Sequence, residues 1–272
     1  MVASGIEKAI QRGRDLELPS EEEKEALVHA ASGLTRKEIN DVFAKWLIKH
    51  KKLSVESVME EKIQMVKKSG VLDYKIPEFT FDDIGGNKAF KEWVEEIQES
   101  FSDEAKEFGV PRPKGYLSIG IPGTSKTAGA EAIASKFKVP FLKLDMSRIM
   151  NRLVGESERN IDQAFRVAKS VAPCVLLIDE VEKVLGGISS SNASDSGTLA
   201  RVFAKILEFL NEDNDVFVIM TSNDISQLPP ELTRAGRLDA IWYFSLPNRD
   251  ERKEIFKIHI NKAGREATEE LL

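Results

Sequence analysis

The stretch "IGIPGTSKTAGAEAIA", residues 119–134, decides how the rest of the chain is read. It nearly fits G-x-x-x-x-G-K-[ST], a loop that wraps phosphate between a strand and a helix. Gly120, Lys126 and Thr127 stand where the pattern wants them, and Ser125 replaces its second glycine. The surrounding sequence reads as strand before the loop and helix after it, the context that gives the motif its meaning. Pro122, Gly123, Thr124, Ser125, Lys126, Thr127 and Ala128 are therefore the candidate cradle. Successive backbone N–H groups and the positive end of the helix dipole would hold phosphate there. Lys126 would neutralise the β- and γ-phosphates and the Thr127 hydroxyl would bind Mg²⁺. Serine at 125 costs little if the backbone is helix-like there, and on the order of 1–2 kcal/mol if φ is positive.

Further along, "VLLIDEVEK" sets Asp179 and Glu180 at the end of an apolar run. An aspartate emerging beside a phosphate loop is the expected Mg²⁺ partner, and an adjacent carboxylate can act as general base on water. Asn223 ends another apolar run, where a polar side chain can orient water or phosphate. Arg234 and Arg237 follow in "TRAGR", too far along the chain to fold back easily into the same site. Such arginines can act on a neighbour's γ-phosphate.

Five short runs read as strands: 115–120, 141–145, 174–179, 216–222 and 241–246. Their continuous apolar character predicts burial on both faces, hence a parallel sheet flanked by helices, an α/β nucleotide-binding domain over 77–272. Residues 1–76 read as an all-helical N-terminal domain. Ser20 with Glu23, and Thr35 with Glu38, have capping-box spacing. Ile39, Val42, Phe43, Trp46 and Leu47 recur at helical spacing, and "SVESVMEEKIQMVKKSG" is a third helix closed by Gly70. The loop 186–198, "GGISSSNASDSGT", is flexible by composition.

Composition sets outer limits. With 42% hydrophobic and 31% charged residues over 272 positions, the chain is of the globular class. No apolar run approaches the roughly 20 residues that span a bilayer, and the N-terminus lacks the apolar core of a secretory signal. The expectation is a cytoplasmic protein with no membrane contact. Cys174 is the single cysteine and reads as a buried thiol; His29, His50 and His259 are scattered and read as surface or packing residues. A net charge of −6 speaks against nucleic acid as the partner.

Taken together, "DDIGG" (82–86), "GIPGTSKT", "LVGESERNIDQAF" (153–165), "VLLIDEVEK", "TSND" and "ELTRAGRLD" resemble, in order, the AAA ATPases of the AAA+ P-loop superfamily. Within that family the chain resembles the AAA proteins encoded in algal plastids and cyanobacteria. The resemblance implies ATP and Mg²⁺ as cofactors. Lys126 and Thr127 would be the Walker A residues, Asp179 and Glu180 the Walker B pair, and Asn223 the first sensor. Arg234 and Arg237 would be arginine fingers in a ring, usually a hexamer, that acts on a protein substrate. Backbone at Asp83, Ile84 and Gly85 would contact adenine. Serine or alanine at the Ser125 position also occurs in some members.

Three departures from the family pattern follow. Leu153 replaces the usual pore-loop aromatic, so that with Val154 any substrate contact would be apolar. The C-terminal lid is expected to be largely absent. Residues 18–58 resemble such a lid placed before the core. The main reading is a ring-forming ATPase that remodels a protein. The second is a nucleotide-gated scaffold with negligible turnover, and the third is a DNA-associated or clamp-loader-like ATPase, which the acidic balance disfavours.

Overall fold

The computed structural model describes residues 20–31, 34–50, 55–150, 156–185, 196–234 and 236–268. Leu153, Val154 and most of the 186–198 loop lie outside them. Three helices come first: α1 (Glu21–Ala30), α2 (Arg36–His50) and α3 (Val55–Ser69). Both capping boxes form. The Ser20 backbone N–H donates to Glu23 at 2.9 Å and the Glu23 N–H to Ser20 Oγ at 3.2 Å. Thr35 and Glu38 exchange the same bonds at 2.8 and 3.3 Å. Leu27, Ala30, Ala31, Ile39, Val42 and Val58 close a small apolar cluster between the three helices.

Gly70, at φ 67°, ends α3, and the chain then enters a strand that the sequence reading lacks: β1 (Leu72–Lys75). The expectation that 1–76 is all-helical is corrected here. Alternate residues Leu72 and Tyr74 pack into or against the main core, and β1 pairs antiparallel with β3 (Phe141–Leu144), placing Asp73 opposite Lys143.

The five expected strands all form, as β2 (Gly115–Gly120), β3, β4 (Cys174–Ile178), β5 (Val216–Ser222) and β6 (Ala240–Phe244). They pair in parallel, and the six-stranded sheet runs β1-β3-β4-β5-β2-β6. Every residue of β2, β4 and β5 is buried, as continuous apolar runs predict for strands covered on both faces. One sheet face carries α8 (Glu156–Val171) and α10 (Ser196–Asn211), with the end of α3 alongside. The other carries α4 (Lys88–Glu99) and α6 (Lys126–Phe137) over an aromatic group of Phe90, Trp93, Tyr116, Trp242 and Phe244. Short helices α5 (Asp103–Glu107), α7 (Met146–Met150) and α9 (Glu182–Leu185) complete the connections, and α11 (Arg249–Lys262) ends the described fold.

α3 belongs to both packing regions: Val58 lies in the small cluster and Val66 in the core under the sheet. Its Lys62, 2% exposed, donates to the carbonyls of Val171 and Ala172, both at 3.2 Å, where α8 runs out of helical partners. Burial pushes its ammonium down to about 8, against the attraction of nearby Cys174. Among the described residues no helix is long and apolar enough to cross a membrane.

Candidate active site

The three neighbouring strands β4, β5 and β2 end side by side, and each delivers polar groups to one cleft of about 480 Å³. A volume of that size suits a small-molecule ligand. β2 delivers the loop. At Gly120 a Cβ would lie 2.2 Å from the Phe244 carbonyl oxygen, so glycine is what allows the close approach to β6. The loop turns through Gly123 (φ 85°) and Ser125 (φ 63°) before α6 begins at Lys126. Ser125 therefore sits in the left-handed region, exposed and with no side-chain capping bond, and the costlier of the two alternatives is the one realised.

The loop and α6 contribute Pro122, Gly123, Ser125, Lys126, Thr127 and Ala128 to the cleft. The strand ends contribute Asp179, Glu180, Thr221 and Asn223; a third set is Phe79, Asp83, Ile84, His259 and Lys262. Four expected residues stand outside this lining. Thr124 donates its hydroxyl to the Ile121 carbonyl at 2.8 Å and so braces the loop from within. Gly85 is where α11 arrives: a Cβ there would meet Ile255 at 2.7 Å. Arg237 donates to the Glu231 carbonyl on its own loop, whereas Arg234 is exposed. The two arginines of "TRAGR" are thus unlike: one is committed within the chain and the other faces outward.

Lys126 is buried, and its Nζ donates to the Gly120 and Ile121 carbonyls at 2.7 and 2.9 Å and to Asn223 Oδ1 at 2.9 Å. Desolvation lowers its pKa despite the pull of Glu182, Asp179 and Glu180. Asn223 is held from its other end: its Nδ2 and its backbone N–H donate to Glu182 Oε1 at 2.9 and 3.1 Å. That pairing fixes which way the amide faces. The second Glu182 oxygen is buried without a partner among the described contacts.

Asp179 accepts on both oxygens, from Lys143 Nζ at 2.6 Å and from the Thr221 hydroxyl. Thr221 Oγ1 itself accepts from the Glu180 N–H at 2.9 Å, so its own proton points to Asp179. Burial opposes ionisation of Asp179, but these bonds with Lys143 and Thr221, and the charge of Lys126, outweigh it and hold its pKa below the usual carboxylate value. Glu180 sits at φ 52° and its carboxylate pairs with Lys183, one exposed turn further on.

The third set closes the cleft on the side of α11. Asp83 caps its own turn through Thr80 and pairs with Lys262 at 2.6 Å; those contacts, Lys262 first, pull its pKa to about 2. Glu254 and Glu251 accept from the Gly86 and Asn87 N–H groups, so "DDIGG" and α11 are bound together. His259, read from sequence as a surface or packing residue, is exposed and also lines the cleft. Lys143, Thr221, Glu182, Phe79 and Lys262 were also missed. Glu182 and Thr221 lie inside "VLLIDEVEK" and "TSND" but were given no role there; Lys143, Phe79 and Lys262 lie outside the quoted motifs, and only the strand order and the return of α11 bring them to the site.

A phosphate loop between β2 and α6, with an acidic pair ending the strand two places away in the sheet, defines a P-loop nucleoside triphosphatase fold. The family described as "ATPase family associated with various cellular activities (AAA)" matches residues 116–246, and that described as "SpoVK-like AAA ATPase, second domain" matches 3–69. The chain belongs to the AAA ATPase family. It is similar to the AAA domain-containing protein ycf46 of Guillardia theta, at 40% identity over 257 residues, 93% of this chain and 50% of the relative. It is also similar to the 26S proteasome regulatory subunit 4 homolog of Encephalitozoon cuniculi (34%; 79% of this chain, 52% of the relative). A third relative is the cell division cycle protein 48 homolog of Archaeoglobus fulgidus (31%; 87% and 33%). The chain spans about half the length of the first of these relatives.

Proposed function

We propose that this chain binds ATP with Mg²⁺ and hydrolyses it in an oligomer, a ring of six by the family resemblance, that remodels a protein partner. The observation that carries the reading is the meeting of Lys126, Thr127, Asp179, Glu180 and Asn223 in one cleft of ligand size. Mg²⁺ is commonly held by one or two side-chain oxygens plus substrate phosphates, and Thr127 with Asp179 is a donor set of that kind. The bound metal and triphosphate would supply the reactive phosphoanhydride and its charge neutralisation. The chain's own part is positional and electrostatic. Lys126 is the one lysine here whose three hydrogen-bond partners are all neutral, which leaves its charge for phosphate oxygens. Glu180 takes the proton of the attacking water, and Asn223, fixed by Glu182, orients it. Ile84 and Asp83, with His259 and Phe79, form the surface for the base. Arg234 reaches the next subunit's cleft, and Arg237 shapes the loop that presents it.

In this reading the helical unit ends at Gly70 rather than at 76, because β1 belongs to the sheet. The cytoplasm is its compartment. Transfer of the family's partners to this chain is supported by the proteasomal and cell-division relatives. A second reading, a nucleotide-gated scaffold with negligible turnover, draws support from the Ser125 strain and from the engagement of Glu180 by Lys183.

Turnover per subunit over a wide range of protein concentration separates the two. Hydrolysis is expected to rise with concentration and to vanish in Lys126→Ala; Glu180→Gln is expected to keep nucleotide bound while losing at least ~10²-fold in rate. Flat, background turnover in the wild type, with ATP bound, would establish the scaffold instead.

A further inference from the structure

Three lysines and three carboxylates crowd the strand ends, and they are matched unevenly. Glu180 has Lys183, a pair of neighbours in one turn whose lysine is 66% exposed, a contact of the kind that contributes little. Among the described contacts Glu182 has only neutral partners, both on Asn223. Asp179 has Lys143, and this pair is different: the side chains are 20% and 26% exposed, and the bond is 2.6 Å. The other Asp179 oxygen is taken by Thr221, so neither oxygen is left bare. Lys143 does not line the cleft; it reaches Asp179 from β3, the neighbouring strand.

We propose that Lys143 is an internal cation that competes with the metal for Asp179 and thereby sets the Mg²⁺ dependence of nucleotide binding. The proposal rests on the reading of the cleft as a Mg²⁺–nucleotide site and deepens it. A carboxylate already neutralised by a partly buried ammonium has little left to offer a free divalent ion. The metal then gains a hold on Asp179 only when phosphate oxygens bring further negative charge, so it enters with the nucleotide and not before it. Lys143 is a positioning residue in this scheme: it acts through Asp179 and touches no reacting atom.

The register makes the arrangement robust. Lys143 alternates with Leu142 and Leu144, both fully buried, so its side chain is committed to the opposite direction from those two. Asp73, the residue opposite it on β1, is occupied by Arg148 at 2.8 Å and leaves Lys143 to Asp179.

The test uses Lys143→Met, which keeps the stem and removes the charge, and Lys143→Arg, which keeps the charge. Lys143→Gln serves as a second neutral variant, and thermal melting shows which variants are folded. Mn²⁺ binding without nucleotide is read by electron paramagnetic resonance, and the Mg²⁺ midpoint for binding of a fluorescent ATP analogue is read by titration. The neutral variants are expected to bind Mn²⁺ about tenfold more tightly than wild type and to shift the Mg²⁺ midpoint down by about tenfold, the size of one charge-assisted hydrogen bond. Lys143→Arg is expected to stay within twofold of wild type. Unchanged metal affinity in the neutral variants, or an equal shift in the arginine variant, overturns the proposal. Loss of nucleotide binding in Lys143→Met even without Mg²⁺ overturns it too, by making Lys143 a phosphate ligand. If the wild type binds no nucleotide, the reading of the cleft fails, while the Mn²⁺ measurement still decides the role of Lys143.

Discussion

The N-terminal helices and the nucleotide cleft are built by opposite rules. In α1–α3 two capping boxes close, and Gly70 takes the positive φ that a helix end asks for. Around the cleft the backbone departs from the ordinary. Ser125 and Glu180 both hold positive φ without being glycine, Lys126 is buried, and Glu182 keeps an oxygen without a partner. Positive φ also occurs at Asn87 and Lys138, and buried polar atoms of Tyr116, Ser118, Asn160 and Trp242 also lack partners, so among the described residues strain and incomplete satisfaction belong to the sheet domain at large and not to the three helices. The seam between the two regions is α3, and there the packing rule is broken once, by Lys62.

The contrast is most directly broken by emptying the helical cluster. Leu27, 1% exposed, lies at its centre. Leu27→Ala is expected to cost about 2–4 kcal/mol, the usual range for a core leucine. Hydrogen exchange should show the loss of protection in α1 and α2, with nucleotide affinity unchanged. Protection lost in β4 and β5 as well would show that the two regions melt as one unit.

The seam offers a smaller, pH-dependent test. The folded pKa of Lys62, about 8, lies below its ordinary 10.5, so the unfolded chain binds more protons between those values. Stability should therefore rise with pH there, by about 1 kcal/mol from pH 8 to 9. The neighbouring Cys174, pushed up to about 12 by burial, works in the opposite direction and already takes back roughly a third of that rise between pH 8 and 9 and more above it, which is why the lower window is the one to read. Denaturant titrations of Lys62→Met should show no such rise. A wild-type slope retained in that variant would assign the effect to another group.

The smallest effect is expected at the loop. Ser125→Gly removes a left-handed strain of about 1–2 kcal/mol but frees the unfolded chain, leaving a gain of roughly 0.5 kcal/mol. A melting temperature that falls instead would mean that the serine hydroxyl makes up for its backbone.

What could be read in advance follows the same divide. Continuous apolar runs gave β2 to β6 and their parallel pairing; β2, β4 and β5 are buried on both faces as such runs predict, whereas β6, at the sheet edge, departs from that expectation and leaves Ile241 and Tyr243 exposed. β1 left none: four residues, two of them charged, directly after a helix-ending glycine, look like a linker until β3 is alongside. In the site, the residues that end the motifs of β2, β4 and β5 were legible, whereas their neighbours Glu182 and Thr221, and residues brought in by β3 and α11, were not. Lys143 sits in "FLKLD" as an ordinary polar member of a strand, and His259 in "IHINK" as an ordinary helical histidine. Their roles exist only once the sheet order and the α11 contact are made.

The short strand β1 has one more consequence. It leaves α3 through two residues, Gly70 and Val71, and lies rung against rung with the strand that carries Lys143, which grips Asp179. Between the helical unit and the Asp179 carboxylate there is one turn, one ladder and one ion pair, with no long loop to take up slack. Tension applied to the helices would register at Asp179 as on a strain gauge, and tightening there would be felt at the helices in return.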